Sequence, residues 1–258
     1  MNHFSPKETA RRYAIGRPYF HEIVMDRVLP KLNLAVDEKF EYGLDVACGT
    51  GLSTKALQTI AHKVYGTDIA DEMMKYAREN TTASILKSRA EKQPFEDHQF
   101  DIITVSSGLH WFEIDDFLQE CSRLLKKDGF LLVYNNHFLA QLEGIKSFTN
   151  WLFESYLKHY PSPSRNNQYE WEREKLINQF GLAYLGEDKF VNTVPFTKAE
   201  LILYFTTQSN VSAAVEGKGE SYKDIENWLT AELANFYAAK KVQLFHFGNT
   251  VNLLQKVR

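Results

Sequence analysis

The stretch Leu44-Asp45-Val46-Ala47-Cys48-Gly49-Thr50-Gly51-Leu52-Ser53-Thr54 decides the fold. An apolar strand, opened by Tyr42-Gly43-Leu44, runs into a glycine turn. A helix starts near Leu52, because Leu52, Ala56, Leu57 and Ile60 recur at helical spacing. Two glycines one residue apart let the backbone turn sharply and let a ligand approach it without meeting a Cβ. The helix beyond offers unpaired N–H groups at its start. A strand, glycine turn and helix in this order suit a nucleotide-like ligand.

Two features narrow that ligand. A dinucleotide fingerprint places a third glycine or alanine three residues after the second, where helix and strand pack beside a pyrophosphate. Thr54 stands there instead. Asp45, on the strand just before the turn, would repel a pyrophosphate and suits a ligand bearing an ammonium and a sulfonium. A second element follows in Lys63-Val64-Tyr65-Gly66-Thr67-Asp68-Ile69, an apolar strand closed by an acid. An aspartate at that place accepts hydrogen bonds from both hydroxyls of a ribose, and Ile69 is placed to lie against an adenine. Taken alone, Asp68 reads equally as the N-cap of the helix that begins near Ala70.

At 258 residues the chain has room for one large α/β domain, or one domain with a sizeable insertion. Its net charge of −3 carries no electrostatic footprint for nucleic acid. Cys48 and Cys121 both fall in apolar segments, which suggests neither a disulfide framework nor a zinc site and fits a reducing compartment. Residues 1–6 lack an apolar signal region, and no apolar run is long enough to span a bilayer. The expectation is a cytoplasmic protein with no membrane insertion, a monomer or homodimer.

Working outward, Lys7 to Tyr13 reads as a polar helix, and Pro18 fits the first position of a second one, Tyr19 to about Leu32. After the second strand and its helix come a short strand Ser84–Lys87 and a β-branched one, Phe100–Val105. Phe117, Leu118, Cys121, Leu124 and Leu125 mark a helix stopped by Lys126-Lys127-Asp128-Gly129, and Phe130–Tyr134 is the next strand. Strands alternating with helices at this spacing give βαβ units and a parallel sheet. From Asn135 the rhythm changes. Helices are expected over Ser147–His159 and Glu172–Gln179, a loop over Pro161–Asn167 and an extra strand over Lys189–Val194. Thr197 with Glu200, and Ser221 with Asp224, open two further helices. Val242–Phe247 and Val251–Val257 across Gly248-Asn249 read as a hairpin. Residues 1–136 therefore form N-terminal helices and a nucleotide-binding core, 137–239 a helical insertion or lid, and 240–258 a hairpin completing the sheet.

Four pieces in this order and spacing resemble class I S-adenosylmethionine-dependent methyltransferases, in the group with trans-aconitate-type and ubiquinone/menaquinone-type enzymes. They are Leu44 to Gly51, Gly66-Thr67-Asp68-Ile69, Ala90-Glu91-Lys92-Gln93-Pro94-Phe95 and Leu109-His110-Trp111-Phe112. The last piece, with Tyr13 and Arg17-Pro18-Tyr19, looks most like the trans-aconitate branch. The resemblance implies a Rossmann-like, doubly wound α/β fold whose seven-stranded, mostly parallel sheet has its last strand antiparallel. It implies S-adenosylmethionine across the carboxyl ends of strands one to four. Gly49 and Gly51 would pass beneath its methionine part, with Asp45 near the ammonium. Asp68 would hold the ribose, Ile69 and Ala90 would flank the adenine, and Glu91 would sit at its edge. Ser107 and His110 would border methionine and acceptor, and Tyr13 and Tyr19 would close the pocket.

Methyl transfer from a sulfonium is an in-line displacement that mainly needs positioning and exclusion of water, so no metal is expected. For a hydroxyl acceptor, His110 is the candidate base or orienting group, or else a structural histidine beside Trp111. For a carboxylate acceptor no base is needed, and Arg17 or Arg165 would orient it. Arg17 reads equally as a helix cap. Trp111 and Asn136 complete the expected pocket for a small-molecule substrate, with Phe205, Gln208 and Ser209 as lid residues. The competing readings are a methyltransferase for protein or RNA, a protein that binds the cofactor without transferring methyl, and a nicotinamide-dependent dehydrogenase.

Overall fold

The computed structural model describes residues 7–162 and 169–258. Helices α1 (Lys7–Gly16) and α2 (His21–Val28) precede β1 (Phe40–Val46), α3 (Leu52–Leu57), β2 (Ala61–Asp68) and α4 (Asp71–Asn80). Next come β3 (Ser84–Lys87), β4 (Phe100–Ser106), α5 (Ile114–Leu124) and β5 (Leu125–Leu142). A helical run follows, α6 (Ser147–Trp151), a π-helical stretch (Leu152–Tyr156) and α7 (Leu157–His159). The chain then forms α8 (Arg173–Phe180), β6 (Leu182–Thr197), α9 (Lys198–Thr206), α10 (Ser209–Lys218), α11 (Tyr222–Glu232) and β7 (Val242–Lys256).

One sheet runs β3-β2-β1-β4-β5-β7-β6, with β7 antiparallel, so the α/β Rossmann-like architecture is the expected one. Strand β1 pairs in parallel with β2 on one side and β4 on the other, and Asp45 faces Gly66 and Thr104 across them. The winding direction therefore reverses between β1 and β4. At that place the carboxyl ends of parallel strands open a crevice.

The described residues form two compact units. One comprises 19–135, 169–189 and 250–258. Its core gathers Leu44, Val46, Phe100, Ile103, Val105, Phe117 and Leu131, every one of them buried. Each such side chain contributes about 1.5–3 kcal/mol on leaving water. The other unit comprises 7–18, 136–162 and 190–249, and its core is aromatic, with Phe148, Tyr156, Phe205, Phe245 and Phe247 buried together. Helix α1 thus groups with the residues after Asn135, whereas the sequence placed it with the nucleotide-binding core.

Four local expectations need correction. The terminal hairpin does not form: Val242–Lys256 is one unbroken strand, and Gly248 is not at positive φ. Gly248 serves close packing instead, since a Cβ there would lie 2.6 Å from the His137 ring. Asn249 gives its amide to Asn192 at 2.8 Å rather than shaping a turn. The strand expected over Phe130–Tyr134 starts at Leu125, directly after α5. Asp128 takes the left-handed turn there (φ 65°), and a Cβ on Gly129 would stand 3.0 Å from the carbonyl oxygens of Asp101 and Lys126. The strand expected over Lys189–Val194 runs from Leu182 to Thr197. Pro18 does not open the second helix, which begins at His21 after Phe20. The two capping sequences act as read: Thr197 and Glu200 form a full capping box, and Ser221 accepts from the Asp224 amide.

Candidate functional site

Strand β1 ends in Asp45 and Val46, and the chain then turns at Ala47 with φ 55°, an uncommon conformation for a residue with a Cβ. Ser107, just past β4, has φ 56°. The two turns touch, since a Cβ on Gly108 would lie 2.9 Å from that of Ala47. Strain of this kind costs about 1–3 kcal/mol per residue and persists where surrounding contacts over-determine it. The Ser107 amide donates to the Tyr134 carbonyl at 2.8 Å, which fixes the second turn to β5.

Asp45 is fully buried. Its Oδ2 accepts from the hydroxyls of Ser53 and Thr54, both at 2.6 Å, and its Oδ1 from Thr104 at 2.8 Å. Burial pushes its carboxyl up to about 6 against those three bonds. The acid expected near a ligand ammonium is therefore held among hydroxyls, and it ties β1, β4 and the first turn of α3 together. Thr54, at the third-glycine position, uses its hydroxyl for the same purpose.

The two turn glycines do different things. Gly51 (φ 84°) has Ala77 Cα 2.9 Å from where a Cβ would stand, so α4 packs directly on it. Gly49 (φ 53°) meets nothing within 4 Å. Its amide donates to Asp68 Oδ2 at 2.8 Å, and Asp68 Oδ1 accepts from the Ala70 amide at 2.8 Å. The N-cap of α4 is Ala70, so Asp68 is not that cap. Burial raises its carboxyl above the ordinary value despite the bonds from the Ala70, Gly49 and Ile69 amides. A carboxylate offers about four lone-pair sites, so acceptor capacity remains for a further donor. Ile69 beside it is 51% exposed, an apolar side chain the fold leaves uncovered.

Ala90 is buried. Glu91 accepts from the Glu113 amide at 3.1 Å and pairs with Arg89 at 3.3 Å, which fastens the loop after β3 to the start of α5. His110 lies on a single turn of 3-10 helix, its ring 4.9 Å from that of Trp111, which is 44% exposed. Tyr19 is exposed, bonds Glu22 at 3.3 Å and has its hydroxyl pushed up to about 12, chiefly by burial.

His21 and Tyr134 were not foreseen. The ring Nδ1 of His21 and the Tyr134 hydroxyl are 3.0 Å apart, both side chains buried. Burial takes the imidazole down to about 3, so it is neutral at pH 7. Tyr134 closes the expected strand and offered a signal; His21 offered none, because its partner is 113 residues away.

Tyr13, Arg17 and Asn136 belong to the other unit. Asn136 Nδ2 donates to Asn249 at 2.8 Å and Asn192 at 3.0 Å, forming an amide network across β5, β7 and β6. Arg17 lies over the rings of Tyr13 and Tyr204, at 4.6 and 5.4 Å. Arg165 lies outside the described residues. Among the described residues no cluster of His, Cys, Asp or Glu could hold a metal ion, and no helix is long and apolar enough to cross a membrane.

Residues 44–133 match the family model described as a methyltransferase domain. The chain is 30% identical over 122 residues to demethylmenaquinone methyltransferase of Staphylococcus aureus, covering 43% of this chain and 48% of that one. It is 27% identical over 126 residues to a Dictyostelium discoideum protein assigned as a methyltransferase, covering 49% and 46%. The chain thus spans less than half the length of these curated relatives. Among solved structures, a protein of Anaeromyxobacter dehalogenans assigned as a type II methyltransferase superposes with TM-score 0.68 at 17% identity, over 92% of this chain and 97% of that one. Geranyl diphosphate C-methyltransferase of Streptomyces coelicolor, solved with S-adenosyl-L-homocysteine, superposes with TM-score 0.51 at 14% identity, over 91% and 76%. At such identities the structures speak for the fold.

Proposed function

Because residues 44–133 match a methyltransferase-domain family model, we propose that this protein transfers a methyl group from S-adenosylmethionine to a small-molecule acceptor. The observation that carries the reading is the space beside Asp68. Gly49 is held open at the end of β1 with nothing where a Cβ would stand, and the Asp68 carboxylate, fixed by backbone amides, lies next to it. These residues fit the cofactor: a turn free of side chain, a carboxylate with acceptor capacity left for the ribose, and an uncovered Ile69 for an adenine face.

When bound, the cofactor supplies an electrophilic methyl group on a sulfonium. The chain's own part is to bind, orient and exclude water. In this reading Asp68 holds the sugar, Ile69 and Ala90 bracket the base, and Glu91 and Ser107 stand at the rim. Asp45 acts through Ser53, Thr54 and Thr104 by fixing the turn. His110, backed by Trp111, orients the acceptor or takes its proton. Within the same unit, Tyr19 and Trp111 are proposed for the acceptor side. A net charge of −3 favours a small molecule over RNA.

The test is a turnover assay. Incubated with S-adenosylmethionine and a fractionated metabolite pool, the protein should release S-adenosylhomocysteine with a product heavier by one methylene, read by mass spectrometry. Binding without release in every fraction would favour a cofactor-binding protein that transfers nothing. Asp68→Ala should keep the fold by circular dichroism and lose cofactor affinity; unchanged affinity would remove Asp68 from the site.

A further inference from the structure

Two arginines near the chain start have opposite surroundings. Arg12 is buried, and its guanidinium meets Glu8 at 2.7 Å and Glu226 at 2.6 Å. This is how buried charge is ordinarily matched. Arg17, just past α1, has no carboxylate partner among the described residues. Its Nη2 donates to the Thr207 carbonyl at 3.0 Å, at the end of α9, and its Nε is buried with no hydrogen-bond partner. The rings of Tyr13 and Tyr204 flank it and offer faces, not acceptors in the guanidinium plane.

Thr207 leads directly into α10. Gln208 is the N-cap of that helix, and Ser209 and Ser212 share one face of its first turn. Both hydroxyls are buried with no partner, Ser209 being 2% exposed and Ser212 1%, while the buried Gln208 amide has the Tyr204 hydroxyl beside it. Asn210, between them, is satisfied: it donates to the Tyr160 carbonyl at 2.8 Å and accepts from the Val211 amide at 3.0 Å. With Arg17 Nε, that makes three buried side-chain donors without a partner on Arg17 and the first turn of α10. Unmade bonds of buried groups are costly, and a cluster of them asks for a ligand. All three can donate, and the Gln208 amide can turn to do so. One carries a fixed positive charge, and the start of a helix adds partial positive charge.

We propose that Arg17, Gln208, Ser209 and Ser212 form a carboxylate-binding site. One cation with neutral donors matches the single charge and flat shape of a carboxylate better than the double charge of a phosphate. The ligand class these donors fit is a small organic acid, and the site rests on its own residues, independently of the methyltransferase reading.

The experiment uses the full chain and two variants, Arg17→Met, which keeps an apolar stem between the two rings, and Ser209→Ala/Ser212→Ala. Circular dichroism confirms that each is folded. Calorimetric titrations follow with succinate, with succinamide and, separately, with S-adenosylhomocysteine. The expected result is succinate binding that succinamide does not reproduce, weakened about tenfold or more in both variants, with S-adenosylhomocysteine affinity within twofold of the wild type. If S-adenosylhomocysteine binds and succinate affinity does not depend on Arg17 or the two serines, the site proposal is overturned and the methyltransferase reading stands. If S-adenosylhomocysteine does not bind the wild type, that reading falls separately, and the succinate titration on the free protein still decides the site.

Discussion

Asp45 and His21 are buried titratable groups pushed in ways that give opposite pH signatures. Asp45 has its carboxyl raised from 3.8 to about 6 by burial, so the folded chain holds this proton more tightly than the unfolded one. Its contribution is complete at low pH and is lost as pH rises from about 4 to 6. Comparing wild type with Asp45→Asn by chemical denaturation, the balance should move against the wild type across that window, by up to about 3 kcal/mol. His21 has its imidazole lowered from 6.5 to about 3, so here the unfolded chain binds the proton. Stability is present above pH 6.5 and lost as pH falls toward 3, by up to about 5 kcal/mol relative to His21→Asn. A flat difference in either series would show that the group is solvated in solution.

At the scale of elements, the glycine turn joins β1 to α3 and is clamped from two sides. Asp68 takes the Gly49 amide at 2.8 Å, and the Asn80 side chain donates to the Thr50 carbonyl at 2.9 Å. Helix α4 thereby braces the turn, through Ala77 against Gly51 and Asn80 against Thr50. The two glycines should respond differently to alanine. Gly51→Ala forces α4 away at a backbone approach of 2.9 Å and should lower the melting temperature markedly. Gly49→Ala meets no atom, so only the positive φ opposes it, at about 1 kcal/mol. Its Cβ enters the space proposed for the cofactor, and S-adenosylhomocysteine affinity should fall at least tenfold. Equal melting points with unchanged affinity would contradict this division of roles.

For the whole molecule, a ligand that binds only the folded chain raises its stability by mass action. At a hundred times its dissociation constant, S-adenosylhomocysteine should add about 2.7 kcal/mol. For a chain of this size that is roughly 5–10 °C in a thermal melt. A nicotinamide dinucleotide should add nothing, since Thr54 fills the third-glycine position and Asp45 lies behind the turn. A shift with the dinucleotide alone would overturn the cofactor assignment.

The alternation of strands and helices through β5, the glycine turn, the acid closing β2 and the two helix caps are all legible in the amino-acid sequence. These depend on periodicity, turn chemistry and near neighbours, all of which are local. The rest depends on contacts between residues distant in the chain. Gly248-Asn249 reads locally as a turn, yet His137 and Asn192 on other strands make that glycine a packing position within a continuous β7. Asp45 reads locally as a ligand acid, and only the sheet shows that Thr104, 2.8 Å away, also makes it a tie between strands. His21 has no signature without Tyr134. Arg17 reads as a cap, and only the burial of Ser209 and Ser212 without partners marks the place as unfinished. In each case a side chain's role is set by the atoms that surround it, and those come from residues the local pattern cannot see.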